Sequence, residues 1–450
     1  MDQTSGLNTL SSTRSRTTPN KSSFVPQFII FNIYQLLFLF TISDKENWVW
    51  TIMLIVLVII LDGLEIKRSR TYTSPLVLWY TFWLLMLTVA RMDLQLYDFK
   101  ATWSNMLAYS IVFVNYGFFL SFLVGYRLKR AKENNDIKFC TSSIFDKIII
   151  ALQLVYIIAF FLNVLTLGMV PLLSGDTDAL KIAFSEGFFY KFINISRVSY
   201  VLVPLVLKYS YKPLMRKLSL VLAVGCLFCD LLSGWRGYMF QAIILFATSY
   251  FLLFSSQNKA QAKRLKKQLL MLGVFSVGII GYVGAKRAEE IGGIAFILQF
   301  ALFTIYMYCA PNFLNLQNAM QTIVPKGYPF YTTEAFWSLF VPTTEMAGFE
   351  PIEQNIGAFN VSTYLLEPWA DGGIAGMVLI ASLFGFIAGR AFKNASGSSI
   401  KYIVLLGTAN VVIFTMHNGF ILRSSSCFVW LIIGWLLSVY SSMRYKEKHA

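Results

Sequence analysis

Apolar runs about as long as a bilayer is thick recur along this chain, and that repetition limits its fold more than any other feature. A helix needs about 20 apolar residues to cross the hydrocarbon core of a membrane. Runs of that kind stand at 24–42, 48–64, 74–90, 104–126, 144–167, 193–208, 218–233, 237–255, 268–285, 372–389, 402–418 and 426–442. None alternates at period two, so they do not read as strands of a membrane barrel. Charged residues make up 14% of the chain, well under the roughly 25% of a soluble domain, which would expose aggregating patches if it were this apolar. The expected fold class is all-α: a polytopic transmembrane helical bundle of about 12 spans over 24–443. Residues 1–23 are polar, rich in Ser and Thr, and lack the apolar core of a signal peptide. They read as a disordered cytoplasmic tail, with 444–450 as a second one.

Lys and Arg collect in cytoplasmic connections, and this sets the direction of the bundle. With the N-terminus inside, 27 of the 38 Lys and Arg and 7 of the 23 Asp and Glu fall on the inner side, a net +20 there against −5 outside. One more apolar run, 293–311, is long enough to cross. A crossing there would put Arg390, Lys393, Lys401 and the basic C-terminal tail outside, so it is expected to lie in the interface or to re-enter. Both termini are then cytoplasmic, and the membrane is of the bacterial inner type. The overall charge of +15 is accounted for by this bias and by anionic membrane lipid, with no nucleic-acid partner. Large outer loops are expected at about 168–192 and 286–371.

The five cysteines suggest no disulfide framework. Cys226 and Cys229 form a C-x-x-C inside an apolar run, where helix packing is the simpler role than metal or redox chemistry. No internal repeat or broken helix is legible. The segment 312–371 carries many aromatic residues, together with Glu334, Glu345, Glu350, Glu353, Glu367 and Asp371, and reads as folded over the outer face. Carboxylates beside aromatic faces suit sugars, although any one of these acids also reads as an ordinary solvated loop charge. Asp176-Thr177-Asp178 could hold a divalent ion, but acid pairs are common in loops and no metal site is assigned.

Ionisable groups at membrane depth are costly and are functional candidates by default. Three outward places hold cations. Arg236 sits between glycines in Ser233-Gly-Trp-Arg-Gly237, in a tight turn between two runs. Lys286 and Arg287 follow the run ending at Ala285. Arg423 shares a short turn with His417. The bland alternatives are a snorkelling arginine, a local pairing of Lys286 and Arg287 with Glu289 and Glu290, and a structural histidine. Together these cations suit an anion at the outer surface, because guanidinium binds phosphate oxygens in pairs.

Four stretches resemble the O-antigen and oligosaccharide repeat-unit polymerases of the Wzy type. Gly168-Met-Val-Pro-Leu-Leu-Ser-Gly175 is similar to the start of that family's first large periplasmic loop, and Ser233–Gly237 to its G-x-R turn. Ala285-Lys-Arg287 resembles a basic pair at a later span end. Asn360-Val-Ser-Thr-Tyr364 with Asp371-Gly-Gly-Ile-Ala-Gly376 resembles the return of its second large loop to the membrane. The resemblance implies a GT-C-like membrane glycosyltransferase that joins undecaprenyl-pyrophosphate-linked oligosaccharides, with lipid-linked oligosaccharide and membrane lipid as partners and a chain-length regulator left open. Arg236, Lys286, Arg287 and Arg423 would then bind pyrophosphate, and His417, Asp371 and Glu345 are the candidate bases. No cofactor or metal is expected. The alternatives are an O-antigen ligase and a flippase or transporter of the same lipid-linked oligosaccharide.

Overall fold

A computed structural model of the chain describes residues 24–42, 48–92, 103–129, 143–174, 177–234, 236–254, 310–334, 362–395, 399–417 and 426–449, with Lys267, Met271, Gly278 and Tyr306 between them. Among the described residues every regular element is helical. The chain runs through α1 (Val25–Phe40), α2 (Trp48–Ser69), α3 (Pro75–Trp79), a π-helical turn (Tyr80–Leu84) and α4 (Leu85–Ala90). It continues through α5 (Asn105–Arg127), α6 (Ser143–Leu167), α7 (Thr177–Glu186), α8 (Tyr190–Ser196) and α9 (Ser199–Tyr209). After α10 (Pro213–Leu232) and α11 (Arg236–Phe254), a helix over 310–322, here α12, leads to α13 (Leu366–Ala395), α14 (Ile400–Thr415) and α15 (Ser426–His449).

Local chemistry places several boundaries. Proline occupies the first turn of α1, α3 and α10, where its missing N–H removes no helical bond. Ser104 caps α5, its hydroxyl oxygen accepting from the Leu107 N–H at 3.2 Å. Two residues past α10, Gly234 adopts φ 75°, a left-handed conformation that reverses the chain at little cost only without a Cβ.

The interior is a large apolar core that also takes in polar side chains, while large apolar residues cover much of the outer surface. On α1, Gln27, Tyr34 and Gln35 are buried while Leu36 and Phe40 are 67% and 71% exposed. On α6, Gln153 and Asn163 are fully buried while Leu165 is 75% exposed. Water would penalise such a surface; lipid matches it. Among the described residues five helices are long and apolar enough to cross a membrane: Trp48–Ser69, Asn105–Arg127, Ile144–Leu167, Gly237–Phe254 and Leu366–Ala395. The bent pair α8 and α9 makes a sixth if it counts as one span. Shorter apolar helices stand at Val25–Phe40, Pro75–Ala90, Ile400–Thr415 and Ser426–Ser441. Almost all of the runs 268–285 and 293–311 lie outside the described residues, as do both tails except the last turns of α15.

The closest seam joins α5 to α13. A Cβ on Gly385 would meet the Phe118 carbonyl, one on Gly389 the Phe122 carbonyl, and one on Gly125 the Phe386 carbonyl. Small residues let membrane helices approach backbone to backbone. The contacts climb together in number, so the two helices run parallel.

Two expectations are corrected. The single run 193–208 is two helices that meet at a 41° bend. In α13, Gly372 (φ −140°, ψ 17°) and Gly373 (φ 61°, ψ −147°) leave helical geometry and break the helix near its start. Broken helices are therefore present, and hydropathy did not reveal them. The segment 168–192, expected as an outer loop, holds a 3-10 turn at Pro171–Leu173, α7 and the start of α8.

Candidate functional site

The two ends of the bundle differ in kind. One end gathers cations on aromatic rings. The Arg68 guanidinium lies 4.0 Å from the Phe24 ring centre and 4.7 Å from that of Tyr126, and Lys393 Nζ lies 4.9 Å from Tyr126. Arg68 also makes a two-bond fork with buried Glu65, at 2.6 and 2.7 Å, and Gln27 and Ser74 donate to the same carboxylate.

The other end is built from segments that enclose His417. The Tyr364 N–H donates to the Met416 carbonyl at 2.9 Å, and Asn312 Nδ2 to the His417 carbonyl at 2.8 Å. The Ser362 hydroxyl donates to the Asn312 carbonyl at 3.2 Å. Gln317 of α12 accepts from the Ser104 N–H at 2.6 Å, which ties α12 to the start of α5. Trp83 lies edge-on to Tyr364 and tilted against Phe313, which also meets Trp103.

His417 follows the last turn of α14 and is 8% exposed, with its ring edge-on to Phe414. Its Nδ1 is buried and has no hydrogen-bond partner among the described residues. A buried nitrogen left unmade costs about 1–3 kcal/mol, and a catalytic role is one of the ways such a cost is accounted for.

Asp371 is buried just before the break in α13, and both its oxygens are engaged. Oδ1 accepts from the Phe330 and Tyr331 N–H groups at 3.0 and 2.8 Å, and Oδ2 from the Thr332 N–H at 2.7 Å. Its own carbonyl accepts from the Gly327 N–H at 2.7 Å. Asp371 thus fastens the loop 326–332 onto the start of α13. Lys326 covers the rings of Phe330 and Tyr331 at 4.7 and 4.9 Å in that loop.

Arg236 is the first residue of α11, directly after the Gly234 turn, and its side chain is outside the described residues. Lys286, Arg287, Arg423 and Glu345 also lie outside them, as do Glu350, Glu353 and Asp176. The structure therefore brings His417 and the Asp371-anchored loop to one end of the bundle and gives no geometry for the cation set. Glu367 is buried in the first turn of α13. Cys226 and Cys229 are buried free thiols, and Cys226 Sγ contacts the Gln153 carbonyl at 3.5 Å, a packing role. Among the described residues no group of three or more His, Cys, Asp or Glu could hold a metal ion.

Sequence reasoning passed over several buried charges, Glu65 and Asp146 among them. Arg91 ends α4 at 2% exposure and donates to the Thr41 carbonyl at 2.8 Å and to the Thr41 hydroxyl. Arg197 and Asp230 form an ion pair at 2.9 Å, each almost wholly buried. The signal was present, since Asp230 sits inside the same apolar run as the two cysteines.

The fold defines a class, a helical protein with several helices able to cross a membrane and a folded segment over one end. No protein-family model, curated protein or solved structure matches the chain.

Proposed function

We propose that the chain is a polysaccharide polymerase of the Wzy type. It crosses a bacterial inner membrane about twelve times, with both termini cytoplasmic, and works at the periplasmic face. The observation that carries this reading is the folded segment 310–334 and 362–371, which closes over His417 at the end opposite the Arg68 and Lys393 cluster. A site covered at one face suits chemistry on a substrate presented at the membrane surface.

The reaction moves a growing chain from its lipid carrier to a new lipid-linked repeat. The bond from the donor sugar C1 to the pyrophosphate oxygen breaks, and the acceptor hydroxyl oxygen bonds to C1. The hydroxyl proton passes to a base, and undecaprenyl pyrophosphate leaves. His417 is the base favoured here, because its Nδ1 is buried and unoccupied among the described residues. Asp371 is a weaker candidate, since both its oxygens already hold backbone N–H groups; Glu345 keeps the standing its position in the sequence gives it. Charge builds on the leaving pyrophosphate, and preorganised cations stabilise it. Arg236, Lys286, Arg287 and Arg423 are assigned that role.

The breaks at α8–α9 and at Gly372–Gly373 favour a second reading, a transporter of lipid-linked oligosaccharide, since discontinuous helices often line transport sites. Transport sites sit near the midplane, however. The α8–α9 break is level with the last turn of α10, through the Arg197–Asp230 pair, and the glycine break is near the start of α13. Both breaks are at helix ends, which fits the polymerase better.

Arg236→Ala and Arg423→Ala should each abolish long-chain polysaccharide at unchanged protein level, read as a ladder on a gel. A persisting ladder removes these arginines from the site. Deletion of the gene separates the readings. A single repeat unit supports the polymerase, free lipid-linked polymer points to a ligase, and repeats trapped inside point to a flippase.

A further inference from the structure

Arg197 occupies the bend between α8 and α9 and is 1% exposed. Its Nη2 donates to Asp230 Oδ1 at 2.9 Å, and its Nη1 to the Asn194 side-chain oxygen. Asp230 also accepts the hydroxyl of Tyr156 on Oδ1 and that of Tyr200 on Oδ2, the latter at 3.2 Å. The guanidinium carbon lies over the Tyr238 ring, 3.9 Å from its centre. Trp430 Nε1 of α15 donates to the Asn194 carbonyl at 2.8 Å.

The placement of these partners is the informative part. Asp230 is in the last turn of α10, and Tyr238 is in the first turn of α11. Between them lies the tight turn with Gly234 at φ 75° and Arg236 two residues before Tyr238. One buried guanidinium therefore grips both limbs of that turn, one by charge and one by ring contact. The Ser233 hydroxyl, donating to the Asp230 carbonyl at 2.7 Å, stiffens the near limb. Arg197 is itself an unsuitable anion binder in this arrangement, because Asp230 neutralises it and both side chains are sealed from the surface.

We propose that Arg197 and Asp230 are a positioning pair for Arg236. They fix the α10–α11 turn so that Arg236 is held at the membrane surface, where a phosphate group of a lipid-linked substrate is presented. This rests on Arg236 acting as an anion-binding residue, as proposed above.

The test uses the full-length protein in native membranes. Replacing both partners with leucine avoids leaving one buried charge alone, so the fold is kept while the grip is lost. Arg236→Cys, labelled by a membrane-impermeant maleimide and corrected for the native cysteines, reports the turn without any assay of activity. In the background of Arg197→Leu with Asp230→Leu, its labelling rate should change by about tenfold as the turn loosens. Arg197→Lys keeps the charge but loses the planar fork and its stacking, and it should shift the rate in the same direction by less. An unchanged rate in both backgrounds overturns the proposal, and so does a double-leucine protein that accumulates but labels like the parent. With Arg236 intact, the double-leucine protein should lose about 100-fold in chain extension, the scale of a small misplacement. A normal ladder there also overturns the proposal. Should Arg236→Ala itself leave the ladder intact, the polymerase site fails, and the labelling arms still decide whether Arg197 and Asp230 hold the turn.

Discussion

At the scale of single residues, the covered end of the bundle holds two side chains with opposite standing. Among the described residues His417 Nδ1 meets no hydrogen-bond partner within bonding geometry, whereas both Asp371 oxygens accept from backbone N–H groups. His417→Gln keeps the backbone carbonyl that Asn312 grips, so the protein should accumulate normally. Chain extension should fall about 10²–10⁴-fold, the contribution of a positioned base; a variant with parental extension rates would move the base elsewhere. Asp371→Ala should behave differently. It frees three backbone donors, and hydrogen bonds to charged groups are worth about 1.5–3 kcal/mol each when buried. Water can reach part of this loop, so a net loss of about 2–4 kcal/mol in the local docking of 326–332 is expected. Limited proteolysis should then nick that loop before the rest of the protein, and equal protection in both proteins would show that Asp371 does not anchor it. Asp371 and His417 were both legible in the sequence as polar residues at the outer ends of apolar runs. Their different surroundings were not, because only folding brings the N–H groups of 330–332 to the Asp371 carboxylate.

At the scale of elements, hydropathy located the helices well, because a bilayer imposes one length on every crossing. Helices stand at each of the expected runs before 268 and after 371, with ends moved by a few residues. Helix geometry inside the runs was not legible. The π-helical turn at Tyr80–Leu84 and the bend at Arg197 leave the average apolarity of a run untouched. The ion pair between Arg197 and Asp230 was hidden for a related reason, since 33 residues and a chain reversal separate its partners. Glycine spacing, by contrast, carried a signal that was not used. Gly385 and Gly389 are one turn apart and both face carbonyls of α5. Gly385→Leu must push α5 and α13 apart, because the obstructing atom is backbone and cannot rotate away. Overpacking of this kind costs about 1–3 kcal/mol, so the protein should melt several degrees lower in detergent. Gly372→Ala, where a Cβ meets open space, should change melting far less. Equal melting of the two variants would mean that the α5–α13 seam does not limit stability.

At the scale of the whole molecule, the α5–α13 seam also constrains how the chain threads the membrane. Gly385 meets Phe118, and Gly389 meets Phe122, so the two helices run in the same direction. Two crossing helices with the same direction are separated by an odd number of other crossings. If the runs 144–167, 193–208, 218–233, 237–255 and 268–285 each cross, as the sequence leads one to expect, they supply five, and a crossing at 293–311 would make six and turn α13 around. The ends of the bundle argue the same way, since Arg68, Arg390 and Lys393 share one end and the segment 310–334 shares the other with His417. Arg390 Nη1 donates to the Leu128 carbonyl at the end of α5, which places the two basic termini side by side. Packing direction and charge bias are independent physical constraints, one set by backbone contact between helices and the other by the cost of moving Lys and Arg across a membrane. Their agreement gives the last prediction. A reporter active only in the periplasm, fused near Pro342, should be active, while a cytoplasm-active reporter at the same position should be silent. Fusions near Lys401 should give the opposite pair of results. A silent periplasmic reporter near Pro342 would mean that 293–311 crosses and that the direction assigned to α5 or to α13 is wrong. The covered end of the bundle would then face the cytoplasm, and the proposed polymerase, which works at the periplasmic face, would fall with it.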